Sequence, residues 1–345
     1  MTGLRIVGMV VAVVVGMALA AQARLNGELS DRIEDPVTTA LLSFLGGELI
    51  LLLLVLVVPG MRRGLLRVGS AVRGGELPGW HLLGGVCGAY LVVCQGLTVG
   101  AIGVALFTVA VVAGQATSRL VVDRAGLGPG GARPVSVPRV LGAVLTIGAV
   151  ILAVSDRFGT PSALGLAVLP VLAGVAVAWQ QAVNGRVGAA AGRGVGQVGG
   201  SLSATLVNFT VGGVVLAAAA LVVVLVRGLP EPLPAEPLLY LGGPLGILFV
   251  AAAAVIVPLT GVLLLGLGTV AGQLVGALLL DVFLPAAGSQ VTAVTTAGTA
   301  LTLVAMVVAT LPARHRLRRG LPGMQGCAGE RDSAGRKAGP RRDLH

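Results

Sequence analysis

The chain has 345 residues, of which 55% are hydrophobic and only 11% charged, with a formal net charge of +10. A soluble domain averages about 25% charged residues, so too little polar surface remains to face water and lipid must cover most of the exterior. The basic balance does not call for a nucleic-acid partner, because most Lys and Arg lie beside apolar stretches or in the C-terminal tail, where they serve as topogenic charge.

A membrane span needs ~20 mostly apolar residues whose backbone groups are satisfied internally, so the apolar stretches predict helices. Ten are predicted, at roughly 6–25, 37–58, 80–99, 101–122, 139–155, 162–184, 201–226, 238–257, 259–280 and 291–311. The third and fourth divide around Gly100-Ala101 and the eighth and ninth at Pro258. Each pair spans roughly twice the ~30 Å hydrocarbon thickness at ~1.5 Å per residue, so each must turn back. Arg5, the apolar run after it and Ala18-Leu19-Ala20 or Ala21-Gln22-Ala23 also match a cleavable signal peptide over residues 1–23. Residues 313–345 lack apolar periodicity and read as a disordered basic cytoplasmic tail, with anionic-lipid binding as a second role.

Charge orients the spans. With the N-terminus on one side, that side receives Arg5, the Arg-rich stretches at 62–73 and 119–139, Arg186, Arg193 and the basic tail. The other side receives Arg24, Arg32, Arg157 and Arg227. The bias persists without the tail and places both termini in the cytoplasm.

The chain is one unit written twice. Residues 80–123 slide onto 238–281 without a gap, at an offset of 158, and 15 of 44 positions are identical. The informative matches are Gly84-Gly85-x-x-Gly88 with Gly242-Gly243-x-x-Gly246, Gly103 with Gly261, Gln115 with Gln273, and Asp123 with Asp281. The same offset pairs Gln22 with Gln180 and Asn26 with Asn184, whereas Phe44-x-x-Gly47 matches Phe209-x-x-Gly212 at 165. Each copy holds five helices, and because five is odd the second enters the membrane the other way up. The expectation is an all-α polytopic membrane protein of ten transmembrane helices forming two inverted five-helix repeats, 1–156 and 157–312. The repeat argues against cleavage of the first span, which would remove the partner of the sixth. Inverted repeats place a substrate site near midplane at their interface.

The pattern Gln-x-x-x-Asn near the first helix, Phe-x-x-Gly in the second, Gly-Gly-x-x-Gly in the third and Gly-Gln ending in Asp in the fourth resembles the YdcZ-like branch of the drug/metabolite transporter superfamily. This chain looks like a fused pair of its five-helix copies, over about 20–312. The resemblance implies a ten-helix basket around a central cavity, lined by the first, third, fourth, sixth, eighth and ninth helices. It would turn Gln22, Asn26, Gln115, Gln180, Asn184 and Gln273 toward that cavity. The chain departs from its own repeat where Leu284-Pro285 stands in place of Gly126 and the residue after it, which puts equal roles for the two Asp in doubt.

Read by themselves, Gln115 and Ser118 share a helix face with Arg119 at i, i+3 and i+4. The amides could equally serve as pathway groups or as interhelical hydrogen bonds. Glu48, near the middle of the second span, costs ~2.5–3.5 kcal/mol to insert and is the candidate for proton coupling; a hydrogen-bonded structural Glu is the alternative. Its counterpart is Gly213. Asp123 and Asp281 sit at helix C-termini, where the dipole disfavours them, and are read as gating or helix-end groups. Arg119 or Arg124 could compensate Asp123, and no near neighbour is visible for Asp281.

No cofactor is expected, and the scattered Cys and His predict no metal site. With no catalytic cluster of loop residues the chain reads as a non-enzyme. The leading expectation is a secondary active transporter in a bacterial cytoplasmic (inner) membrane, moving a small organic metabolite or drug by alternating access, with protons as coupling ion. The alternatives are a lipid-carrier flippase and a non-transporting membrane assembly protein. Its partners would be a small-molecule substrate and the lipid bilayer, with a homodimer as a further possibility.

Overall fold

In a computed structural model, the described residues are 2–132, 134–153, 155, 161–249, 262–285 and 291–310, and among them all regular structure is helical. The helices are α1 (Thr2–Ile33), α2 (Pro36–Val57), α3 (Pro59–Arg73), α4 (Gly84–Ile102), α5 (Val104–Arg124), α6 (Val137–Ala153), α7 (Pro161–Gly192) and α8 (Gly196–Arg227). They continue as α9 (242–249), α10 (Val262–Phe283) and α11 (Ala293–Thr310). Single 3-10 segments, Gly79–Leu83 and Pro237–Leu241, lead into α4 and α9. Among the described residues, eight helices are long and apolar enough to cross a membrane, and two shorter apolar helices occupy Val137–Ala153 and Pro237–Phe249. The end of the predicted eighth span, the start of the ninth and the tail at 313–345 lie outside the described residues.

Several boundaries differ from expectation. α1 runs on to Ile33 instead of stopping near 25, because Glu28 pairs with Arg24 at 2.8 Å and Arg32 at 3.1 Å, while Leu29 and Ile33 are buried. Arg32 also reaches Glu236 at 2.8 Å, tying the end of α1 to the 3-10 segment before α9. The Glu236 carboxyl is held below its usual range by its own backbone amide and by Arg32. That tie therefore holds at neutral pH and is lost as pH falls through the lowered value. The next helix, α2, is started by Asp35, whose carboxylate accepts from the amides of Val37 (2.9 Å) and Thr38 (3.2 Å), with Pro36 at the first helical position.

The stretch after α2, expected as a basic loop, is helix α3. Met61, Gly64, Val68 and Ala71 form one buried stripe against α7 and α8, and the charged residues between them point outward. Spacings of three and four carried this signal, but the Arg content masked it.

α4 ends and α5 begins at Gly103, whose φ of 82° suits only glycine without strain. Outward-facing Leu49, Leu52, Leu53 and Leu56 on α2, and Leu221, Leu225 and Val226 on α8, are half or more exposed, as lipid-facing side chains are.

Contacts recur with the two halves exchanged. Gly16 of α1 lies against the backbone of Thr269 and Gln273 in α10, and Gly174 of α7 lies against Val111 and Gln115 in α5. Conversely, Gly272 meets Val13 and Gly114 meets Val171. Gly47 packs under the Phe209 ring and Gly212 under Phe44, the rings themselves being 4.9 Å apart. Gly142 of α6 meets Ala305 and Ala309 of α11, and Gly298 meets Ala149 and Ala153, so these two helices run antiparallel. The main apolar core joins α1, α4, α5, α6, α7 and α10 around Val99, Leu106, Val109 and Leu274.

Candidate functional site

A buried amide in an apolar bundle keeps its hydrogen-bonding needs, so it collects partners across helices. On α7, Gln180 and Asn184 lie one turn apart and donate Nε2 and Nδ2 to a single oxygen, Oδ1 of Asn208 in α8, at 3.0 and 2.8 Å. The glycines of α4 make this approach possible. A side chain at Gly84 would meet the Asn184 amide, and one at Gly88 would meet Gln180. The other half repeats the arrangement with Gly242 against Asn26 and Gly246 against Gln22. Asn26 is fully buried and donates Nδ2 to Gln95 Oε1 at 2.6 Å, while its own Oδ1 has no partner among the described residues. Asn208→Ala should cost about 1 kcal/mol for two interhelical bonds; detergent-unfolding midpoints check it.

A third amide group lies on the seam between α5 and α7. Gln115 is 9% exposed and its Oε1 accepts from Arg119 Nη2 at 3.2 Å. The same Nη2 donates to Gln181 Oε1 of α7 at 2.8 Å, and Ser118 donates to the Val175 carbonyl at 3.1 Å. Gln273, the counterpart of Gln115, is partly buried in α10. Asn26, Gln115 and the Gln180–Asn184 pair thus belong to separate hydrogen-bonded groups. Trp179, beside Gln180, stacks on Trp80 with centroids 6.0 Å apart.

Glu48 accepts from Thr210 Oγ1 of α8 at 2.7 Å, and its counterpart Gly213 leaves room for the other carboxylate oxygen. It is partly buried on the α2–α8 seam, between outward-facing Leu45 and Leu49.

The two Asp have partners that the sequence did not reveal. Asp281 is 5% exposed, and its carboxylate accepts from the amides of Val104 (3.0 Å) and Ala105 (2.7 Å). The positive end of the α5 dipole therefore offsets the negative end of its own helix, which corrects the expectation that no group lies near it. Asp123 is bound by Arg139 of α6, instead of Arg119 or Arg124. Two arginines reinforce the same helix ends. Arg24 donates to the carbonyls of Leu284 (3.2 Å) and Pro285 (3.5 Å) after α10. Arg186 donates to those of Leu127 and Gly126 after α5, both at 2.6 Å. The acceptors are equivalent at the repeat offset, but the arginines are not.

Sequence reasoning missed Gln95, Asn208, Arg24 and Arg186 as site residues. At the repeat offsets, Gln95 and Asn208 pair with Ala253 and Ser43, and Arg24 is one helical turn out of register with Arg186. For Gln95 and Asn208 the usable signal was solitary polarity inside apolar spans.

Packing contacts that recur between the two halves, an apolar exterior and amides on interhelical seams are the features of a multi-pass membrane protein. The family profile described as "Putative inner membrane exporter, YdcZ" matches residues 7–152 and again 165–308. The chain belongs to this family, in a double-length form with two copies of the unit. An exporter family is not a class of enzyme. A solved structure described as "Crystal structure of protein" is 21% identical, covering 91% of this chain and 98% of its own, with a TM-score of 0.50; that likeness concerns the fold. No curated protein matches the chain.

Proposed function

We propose that the protein is a secondary active transporter of a small organic metabolite or drug. It works by alternating access between two inverted five-helix repeats, residues 1–156 and 157–312, ten spans in all. Positive-inside charge supports an inner-membrane orientation with both termini in the cytoplasm. The observation that carries the reading is an asymmetry between equivalent residues. Asp281 is locked onto the N-terminus of α5, whereas its counterpart Asp123 engages Arg139. Equivalent helix ends held differently at the two sides are what an inverted pair needs in order to be closed on one side at a time. In this reading Asp281 and Asp123 are gating groups, and Gln22, Asn26, Gln115, Ser118, Gln180, Asn184 and Gln273 contribute to the pathway.

Glu48 is the proposed proton-coupling residue, since a carboxylate within a span is costly unless it has work or a partner, and Thr210 is a neutral partner. Flux into proteoliposomes with and without a pH gradient tests both ideas. The Glu48→Gln variant should reach the membrane normally and lose pH-driven transport. Unchanged coupling would remove Glu48 from the mechanism, and movement of lipid-linked carriers in place of soluble metabolites would identify a flippase.

A further inference from the structure

The α5–α7 seam and its counterpart, α1–α10, begin alike and end differently. In both, glycines bring the backbones into contact, Gly114 and Gly174 in one, Gly272 and Gly16 in the other. One turn further on, the α1–α10 seam stays sealed with Ala23 (3% exposed), Ala277 (0%) and Gly276 packed on Met17. At the equivalent positions the α5–α7 seam carries Gln181, Arg119 and Ser118. Three small residues in one seam are therefore three polar ones in the other, and Gln181 is exposed.

Arg119 is not drawn out toward the headgroups, as a snorkelling arginine would be. Its guanidinium reaches back one turn to Gln115, which lies further from the α5 terminus. Both of its bonds use Nη2 and both acceptors are neutral amides. Neutral acceptors orient a guanidinium without cancelling its charge. The neighbouring carboxylate, Asp123, is taken by Arg139. Among the described residues, Nε and Nη1 of Arg119 have no acceptor, so each can donate a single charge-assisted hydrogen bond to a carboxylate or phosphate oxygen.

We infer that Arg119, oriented by Gln115 and Gln181, is a binding site for an anionic group, a carboxylate or phosphate, carried by the transported molecule. That it belongs to a transported molecule rests on the transport reading above; the anion site itself does not.

The test uses full-length protein with Cys87, Cys94 and Cys327 replaced and Gln181→Cys introduced. Labelling rates are compared for an anionic and a cationic methanethiosulfonate reagent. The anionic reagent should react faster by about tenfold, as a local positive potential requires, with the preference kept in Arg119→Lys and abolished in Arg119→Gln. Absence of labelling by either reagent, or a charge preference unchanged in Arg119→Gln, overturns the inference. Thermal shifts with citrate, inorganic phosphate and phosphatidylglycerol, each lost in Arg119→Gln, then separate a soluble anion from a lipid headgroup. Gradient-driven flux of an uncharged or cationic compound without an anion preference at position 181 would sink the anion site and leave the transporter standing. An anion preference in protein that transports nothing would do the reverse.

Discussion

Replacing Asp281 with Ala is expected to lower stability by about 3 kcal/mol, because it removes two charge-assisted hydrogen bonds to buried backbone amides. The amides of Val104 and Ala105 begin a helix, point into a buried site, and no water would replace the lost carboxylate cheaply. The turn at Gly103 brings them there, so the loss is both of a cap and of the tie between the two halves. Asp123→Ala should cost less than about 1 kcal/mol, since the Asp123 and Arg139 side chains are 29% and 27% exposed. Equilibrium unfolding in mixed micelles compares the two. Equal losses would deny that equivalent residues do different work at the two sides. Cysteine accessibility at the α4–α5 turn should also rise in Asp281→Ala and not in Asp123→Ala.

The second large effect is steric. A Cβ at Gly272 would overlap the Val13 carbonyl oxygen and lie 2.9 Å from the Val13 Cα. These are backbone atoms and cannot swing aside, so α1 and α10 would have to separate. Gly272→Ala should cost about 1–3 kcal/mol as overpacking and Gly272→Val more. Gly266, on the same helix, has nothing within 4 Å of an added Cβ. Gly266→Ala should therefore gain up to ~1 kcal/mol from helix propensity. Opposite signs for two Gly→Ala changes on one helix, read by thermal unfolding in detergent, are the expected result; a shared sign would mean that the close approach of α1 and α10 is absent.

The glycine pattern was legible because it serves the backbone. Gly84-Gly85-x-x-Gly88 and Gly242-Gly243-x-x-Gly246 repeat at a fixed offset, since both copies must admit a neighbouring helix at the same place. The amides of Gln22, Asn26, Gln180 and Asn184 were legible for the same reason, as they lie against those glycines. Asn208 and Gln95 were not, because each serves only one half. The amphipathic helix α3 escaped notice because its buried stripe is only Met61, Gly64, Val68 and Ala71, set among arginines.

By itself, the sequence determined that this is a lipid-embedded helical protein, that its unit is doubled, and which family it resembles. Those properties follow from hydropathy, span length and spacing, which act along the chain. Only the tertiary structure decided what each polar group does. Asp123 and Asp281 occupy identical places in the repeat, yet one meets a guanidinium and the other a helix N-terminus. Partners at sequence separations of 16 and 177 residues leave no local signature, because in a membrane the cost of an unpaired charge is set by which helix end folds against it.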